Sequence, residues 1–131
     1  MALGKIKADT LEHSTAGSLD TQYVVNGSAK AWINFNGTGT IATRESLNIS
    51  SITDVTTGTY NVTKTNSFSN ANYITNVSTG GGSFVTPCVG HQNGSFTIYT
   101  ASVTQTENRN QNAGDLFDAT LMLLSYTGDL A

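Results

Sequence analysis

The chain has 131 residues, of which 37% are hydrophobic and only 11% are charged, and its formal net charge is −3. Its six lysine and arginine residues are scattered along the chain, so no clustered basic face is offered to a phosphate backbone, and we predict no nucleic-acid partner. The longest apolar run, residues 121–124, is far too short to cross a bilayer, and we predict no membrane association.

The low content of charged residues is offset by a high content of threonine, serine, asparagine and glycine. Such a polar composition could indicate disorder, but disordered chains usually combine high net charge with few β-branched residues. Here the net charge is small, and threonine, valine and isoleucine are plentiful. We therefore predict a folded all-β protein. The first ten residues lack the apolar core of a signal peptide, so we expect synthesis in the cytoplasm.

Residues 1–25 differ from the rest of the chain. Hydrophobic residues are sparse there, and the segment alone could not bury enough surface to offset its loss of conformational entropy. We predict that it is an extended N-terminal docking arm that becomes ordered against a partner, and that residues 26–131 form the head. The predicted docking residues are Leu3, Ile6, Leu11 and Leu19.

Within the head, short apolar-polar alternations bounded by turn residues recur at the spacing of antiparallel sandwiches. The predicted strands cover residues 29–35, 40–52, 59–65, 73–79, 83–89, 95–105 and 116–126, with a polar loop over 107–115. Ala31, Ile33 and Phe35 share one face of the first strand, and Trp32 lies on its other face. Pro87 cannot donate to a ladder, which places its strand at an edge or bulge. The prediction is an antiparallel β-sandwich, jelly-roll-like.

The last predicted strand is apolar on both faces over its C-terminal half. One face carries Phe117, Ala119, Leu121 and Leu123, and the other carries Met122, Leu124 and Tyr126. Only one face can form the core of a two-layer fold, so the other needs cover from a second subunit or from a local loop. We predict an assembly interface at Met122, Leu124 and Tyr126.

No catalytic or metal-binding constellation is visible. His13 and His91 are far apart and have no acidic residue or cysteine at ligand spacing, so we expect surface or capping roles. Asp115 and Asp118 lack the dense alternation of oxygen ligands found in calcium loops, and we expect them to be solvated. Cys88 is alone and is predicted to be a small buried hydrophobe. We predict no enzyme, no cofactor and no metal.

The aromatic residues leave an alternative open. Amphipathic rings could form a platform for a glycan, or they could equally fill a core. The rings in question are Trp32, Tyr23, Tyr60, Tyr73, Tyr99 and Tyr126.

Residues 24–62 contain an ordered set of motifs: AW-x-NFNGTGT, then R-x-S-x-N-x-SSITD, then TG-x-Y-x-V. Residues 70–73, with the sequence NANY, and the closing GDLA of residues 128–131 extend the pattern. IKADTLEHSTAGS precedes it. Together these motifs resemble a C-terminal β-domain of tail-fibre and other virion structural proteins from marine and freshwater tailed phages.

The resemblance implies a homotrimeric β-sandwich head without enzymatic activity on the exterior surface of a virion. Two roles are then open. In the first, the protein decorates or cements the capsid by binding other virion proteins, either capsid or tail subunits. In the second, it is a short tail fibre or fibre tip that binds a host surface glycan. The short segment before the head favours decoration, because it could dock onto a lattice but could not build a shaft.

Overall fold

A computed structural model describes residues 4, 7–81, 85–89, 98–110 and 114–131. In chain order its elements are β1 (Thr10–His13), β2 (Gly17–Asp20), α1 (Thr21–Gly27), β3 (Ala29–Asn36), β4 (Ala42–Leu47), β5 (Ile49–Thr56), β6 (Thr59–Lys64), β7 (Ile74–Gly80), β8 (Val85–Val89), β9 (Val103–Asn110) and β10 (Leu121–Thr127). The predicted all-β class is confirmed. Within the described ranges, no helix is long and apolar enough to cross a membrane.

Strands β3 to β10 form two four-stranded antiparallel sheets. The first sheet has the order β4-β3-β10-β7 and the second has the order β5-β6-β9-β8. The sheets meet through their buried side chains: Phe35 of the first contacts Tyr60 of the second edge-on, with ring centroids 5.2 Å apart. Pro87 lies in β8, at an edge of the second sheet, as predicted. The jelly-roll-like arrangement and the trimer stay predictions.

The core lies between the two sheets and follows the two-residue period of the strands. In β3, Ala31, Ile33 and Phe35 are fully buried while Trp32 faces the other way, so this prediction is confirmed. In β10, the buried residues are Met122, Leu124 and Tyr126, each at most 3% exposed. The assembly interface predicted at these three residues is therefore wrong, because their side chains form the core of this chain and cannot reach a partner.

The predicted strand 40–52 is two strands, because the chain passes from the first sheet to the second at Asn48. Asn48 has a φ of 56°, a left-handed conformation that asparagine tolerates better than most residues. Its side-chain amide donates to the carbonyls of Lys30 and Asn66, at 3.2 and 3.1 Å. Its Oδ1 accepts the Asn66 N–H at 2.7 Å, so one side chain joins β3 to the segment that follows β6 at the crossing point.

The predicted strand 95–105 and the predicted loop 107–115 are only partly right over the described residues: residues 103–105 lie in a strand and residues 114–115 in a loop, but residues 107–110 also belong to the strand. Strand β9 begins only at Val103, continues to Asn110, and buries residues 104–108 despite their polarity. Hydrogen bonds satisfy part of this buried polarity: the Gln105 amide donates to Asn61 at 3.0 Å, and Glu107 pairs with Arg109 at 2.9 Å. Among the described residues, Glu107 Oε1 and Asn108 Oδ1 have no partner. The last strand likewise begins at Leu121 rather than at residue 116.

Among the described N-terminal residues, Thr10–Asp20 form the hairpin β1–β2 and α1 follows, while the docking role of this segment stays a prediction. The start of α1 is tied to the preceding chain, since the Thr21 N–H donates to the Asp9 carbonyl at 2.8 Å. His13 has the predicted capping role, because its Nδ1 accepts the Ala16 N–H at 3.1 Å in the hairpin turn. His91 and the side chain of Cys88 lie outside the described part of the chain.

Candidate functional site

The outward side of the first sheet carries apolar side chains on neighbouring strands. In the register of β3 and β10, Trp32 lies opposite Ser125 and Leu123 lies opposite Asn34. Because side chains alternate along a strand, Trp32 and Leu123 point away from the core. We define the outer face as the apolar residues of this side: Trp32, Leu47, Ile74, Leu121 and Leu123.

The outer face remains open to solvent in this chain. Leu47 and Ile74 are 49% and 62% exposed, whereas Trp32, Leu121 and Leu123 are half-buried. Leu47 lies directly opposite Trp32 on the neighbouring strand, which makes the patch continuous across β4, β3 and β10. Contiguous exposed apolar surface of this kind usually marks an interaction site.

A shallow groove of about 380 Å³ runs along the outer face beside Trp32 and Leu123. Polar side chains flank it, namely Asn34, Asn76, Ser78 and Ser125. The Asn34 amide is held in place, since its Oδ1 accepts from Arg44 at 3.2 Å and the same guanidinium donates to the Thr120 carbonyl at 2.6 Å. An apolar strip with fixed amides at its edge suits a protein surface and also suits the face of a sugar ring.

The tyrosines do not join Trp32 in a glycan platform. Tyr60, Tyr73 and Tyr126 are buried in the core, and the half-buried Tyr99 donates its hydroxyl to the Tyr73 carbonyl at 2.6 Å. Tyr23 is exposed, but it lies on α1 rather than on the outer face. The six-ring platform considered from the sequence is therefore wrong, and the core-filling alternative holds for the three buried rings.

The N-terminal segment has a second apolar surface. The predicted docking residues Leu11 and Leu19 are 50% and 47% exposed, and Leu3 and Ile6 lie outside the described residues. Leu11 lines a cleft of about 260 Å³ together with Val24 and Val25 of α1, which the sequence analysis did not single out. The hairpin and the helix thus bring Leu11 together with Val24 and Val25 on an exposed surface.

Asp118 has a structural role, contrary to the expectation that it is solvated. Its Oδ1 accepts the Gly58 N–H at 2.6 Å and lies 2.8 Å from the Tyr60 hydroxyl. Burial and the hydrogen bond to this carboxylate raise the pKa of Tyr60. Asp118 therefore joins the segment before β10 to the turn between β5 and β6. Asp115 is exposed, as predicted.

Lys64 is a buried cation in the core, enclosed by aromatic rings. Its Nζ donates to Thr104 Oγ1 at 2.8 Å and to the Tyr73 hydroxyl at 3.0 Å. The same atom lies 4.4 and 4.7 Å from the ring centroids of Tyr73 and Tyr126. These contacts only partly replace water, and burial lowers the pKa of Lys64 to about 8.

We expect the free energy of unfolding to rise by about 2 kcal/mol between about pH 7 and pH 9.5, and to fall at higher pH. The pKa of Lys64 is about 8 in the folded chain against the ordinary 10.5, so between these values the unfolded chain binds the extra proton and stability increases with pH. Burial raises the pKa values of Tyr60, Tyr73 and Tyr126, so above about pH 10 the unfolded chain loses protons first and stability decreases.

Urea unfolding at a series of pH values measures this profile. Lys64→Met should remove the rising limb, whereas Lys7→Met, at an exposed lysine, should leave it unchanged. A wild-type profile that is flat between about pH 7 and pH 9.5 would show that burial among the aromatic rings does not destabilise the Lys64 ammonium.

Among the described residues, no group of three or more histidine, cysteine, aspartate or glutamate side chains could hold a metal ion. No protein family, curated protein or solved structure matches the chain. What the protein does has to be inferred from its own residues, and the two exposed apolar surfaces are its most distinctive features.

Proposed function

We propose that this chain is a non-enzymatic structural protein of a tailed-phage virion, exposed on the exterior as a capsid decoration or cement protein. The ordered motifs of residues 31–62 and 128–131, which resemble a virion β-domain, support the assignment to a virion. The outer face supports a structural role, because a strand that is apolar on both sides needs cover that this sandwich supplies on one side only.

The occupant of the outer face is a second copy of the same chain, in a homotrimer. Fully burying a large aliphatic or aromatic side chain contributes roughly 1.5–3 kcal/mol, so the remaining exposure of five such residues on each copy is enough to decide association. The apolar centre also has the composition of an interface, with Trp32 as the aromatic anchor and polar side chains such as Asn76 at the rim.

The N-terminal segment binds a different partner, a capsid or tail subunit. Its exposed apolar residues, among them Leu11, Val24 and Val25, form a surface of their own on the hairpin and helix. None of the described residues from 4 to 20 is buried, so removing this part should cost the head little stability. This arrangement leaves the segment available for the particle while the outer face binds other copies.

Deleting residues 1–20 should leave a folded trimeric head that no longer joins the particle. The expected change in melting temperature is small, because the deleted residues that the structure describes bury no side chain in the core. Complementation of a deletion phage with the truncated chain, followed by mass spectrometry of purified particles, measures incorporation. Normal incorporation of a folded truncated chain would refute the docking role of this segment.

The second candidate is a short tail fibre or fibre tip that binds a host surface glycan. The groove beside Trp32 favours it, since an indole ring flanked by the amides of Asn34 and Asn76 can hold a sugar ring by stacking and hydrogen bonds. The two roles differ in stoichiometry: a decoration protein is present in numbers comparable to the capsid subunits, whereas a fibre is present in only a few copies at the tail.

A further inference from the structure

A second concave site lies at one end of the sandwich and shares no lining residue with the groove beside Trp32. It is a pocket of about 320 Å³, at the lower end of the range typical of small-molecule sites, roughly 300–1,000 Å³. The last residues of the chain meet the segment between β6 and β7 and the end of α1 there. We call it the C-terminal pocket and define it by Asn26, Phe68, Asn70, Asn72, Tyr73 and Asp129.

Backbone contacts hold the walls of the C-terminal pocket in place. The Ser69 N–H donates to the Asp129 carbonyl at 2.8 Å, and the Ala131 N–H donates to the Ser67 carbonyl at 3.0 Å. Gly128 packs so closely that an added Cβ would lie 2.8 Å from the Cβ of Tyr73. The closing motif of the chain is thus fixed against the segment that contains NANY, and both motifs line one pocket.

Three polar side chains of the pocket have unused hydrogen-bonding capacity. Asn70 is not one of them, because its Oδ1 already accepts the Asn72 N–H at 2.7 Å. The side chains of Asn26, Asn72 and Asp129 make no hydrogen bond to any described residue, and all three reach solvent. The two amides can donate and accept, and the carboxylate accepts strongly.

The chemistry of the lining selects the class of ligand. Asp129 would repel an anion, and the described lining contains no lysine or arginine to bind a phosphate or carboxylate. Asp129 is the only carboxylate in the described lining, which is too few hard oxygen ligands for a divalent cation. A neutral molecule with several hydroxyl groups satisfies both amides and the carboxylate by hydrogen bonds alone, because Phe68 and Tyr73 are only 2% and 6% exposed and offer almost no surface for ring stacking.

We propose that the C-terminal pocket binds a single neutral saccharide unit, and that Asp129 excludes acidic sugars. The site is open and small, so binding should be weak, with a dissociation constant on the order of millimolar. The inference does not depend on the virion assignment, because it uses a part of the head that is distinct from the outer face.

Titration of the isotopically labelled full chain with the methyl glycosides of glucose, galactose, mannose and N-acetylglucosamine, and with glucuronate, tests the site by NMR. We expect at least one neutral glycoside to shift the backbone amide signals of Ser69 and Asp129, and glucuronate to leave them unchanged. Asn72→Ala should weaken binding at least about fivefold, the loss expected for one hydrogen bond. Asp129→Asn should admit glucuronate.

The matched controls are Asn76→Ala and Trp32→Ala, which change the outer face and should leave this binding unaltered. Shifts confined to the outer face would overturn the proposal and would support the glycan-binding role of Trp32 instead. Equal binding of glucuronate and neutral glycosides, unchanged binding by Asn72→Ala, or no shift with any probe would also overturn it. None of these outcomes bears on self-association, so the proposed function is tested separately.

Discussion

Replacing Leu123 with aspartate should abolish self-association while leaving the fold intact. Leu123 lies at the centre of the outer face, between Asn34 of β3 and Ser78 of β7, and its side chain points away from the core. A carboxylate here stays solvated in the single chain, but it would be an unpaired charge in an apolar interface. We expect at least a hundredfold weaker association, measured by sedimentation velocity or mass photometry over a concentration series.

Two controls separate this interpretation from others. Ser51→Asp adds the same charge at an exposed position of β5 and should leave association unchanged. Leu124→Asp, one residue further along β10, should unfold the chain instead, because Leu124 is only 3% exposed and lies in the core. A wild-type chain that sediments as a monomer at every concentration would contradict the trimer, and a trimeric Leu123→Asp chain would place the interface elsewhere.

Replacing Gly58 with alanine should destabilise the fold by about 3 kcal/mol or more. Gly58 has a φ of 67°, which costs an alanine roughly 1–2 kcal/mol. In addition, a Cβ would lie 2.6 Å from the Phe117 nitrogen and 2.7 Å from the Asn108 carbonyl oxygen. Both are backbone atoms, so the clash can be relieved only by displacing β9 or the segment that leads into β10.

Gly39→Ala is the matched control for this prediction. Gly39 has almost the same φ, 63°, but a Cβ there would meet nothing within 4 Å. It should therefore cost only the backbone term, roughly 1–2 kcal/mol. Urea unfolding of both variants measures the difference. Equal destabilisation by the two substitutions would show that the turn at Gly58 is not packed against its neighbours as described.

Strands in which apolar and polar residues alternate could be predicted from the sequence. β3 is the clearest case, since Ala31, Ile33 and Phe35 define one face and only that face is buried. The turn at residues 57–58 and the edge position of Pro87 also follow from local chemistry, because glycine tolerates positive φ and proline lacks a donor. In these cases, local pattern and tertiary structure agree.

The face that β10 turns toward the core could not be predicted, because both of its faces are apolar. Periodicity separates Met122, Leu124 and Tyr126 from Leu121 and Leu123 but does not say which set is inside. Tertiary contacts decide, since Tyr126 packs against Lys64 of the opposite sheet and against Tyr73, which lies just before β7. One apolar face of β10 is still not covered by this chain, as expected. It is the face that carries Leu123, and not the face that carries Leu124.

The part of strand β9 beyond Gln105 could not be predicted, for a different physical reason. Residues Gln105, Glu107 and Asn108 of this strand carry no apolar signal, and their burial depends on partners that are distant or follow later in the chain. The Asn108 amide donates to the Phe117 carbonyl at 2.8 Å, and Gln105 bonds Asn61 across the sheet. Such pairings become visible only when the register is known, so a polar strand of this kind looks like a loop in the sequence.

A cryo-EM map of the phage particle proposed to carry this protein tests the central claim most directly. We expect three copies in contact through Trp32, Leu123 and their neighbours on the outer face, on the exterior of the particle, with the N-terminal segment seated on a capsid or tail subunit. A map in which the outer face is open to solvent on every copy, or particles that lack the protein altogether, would contradict the account.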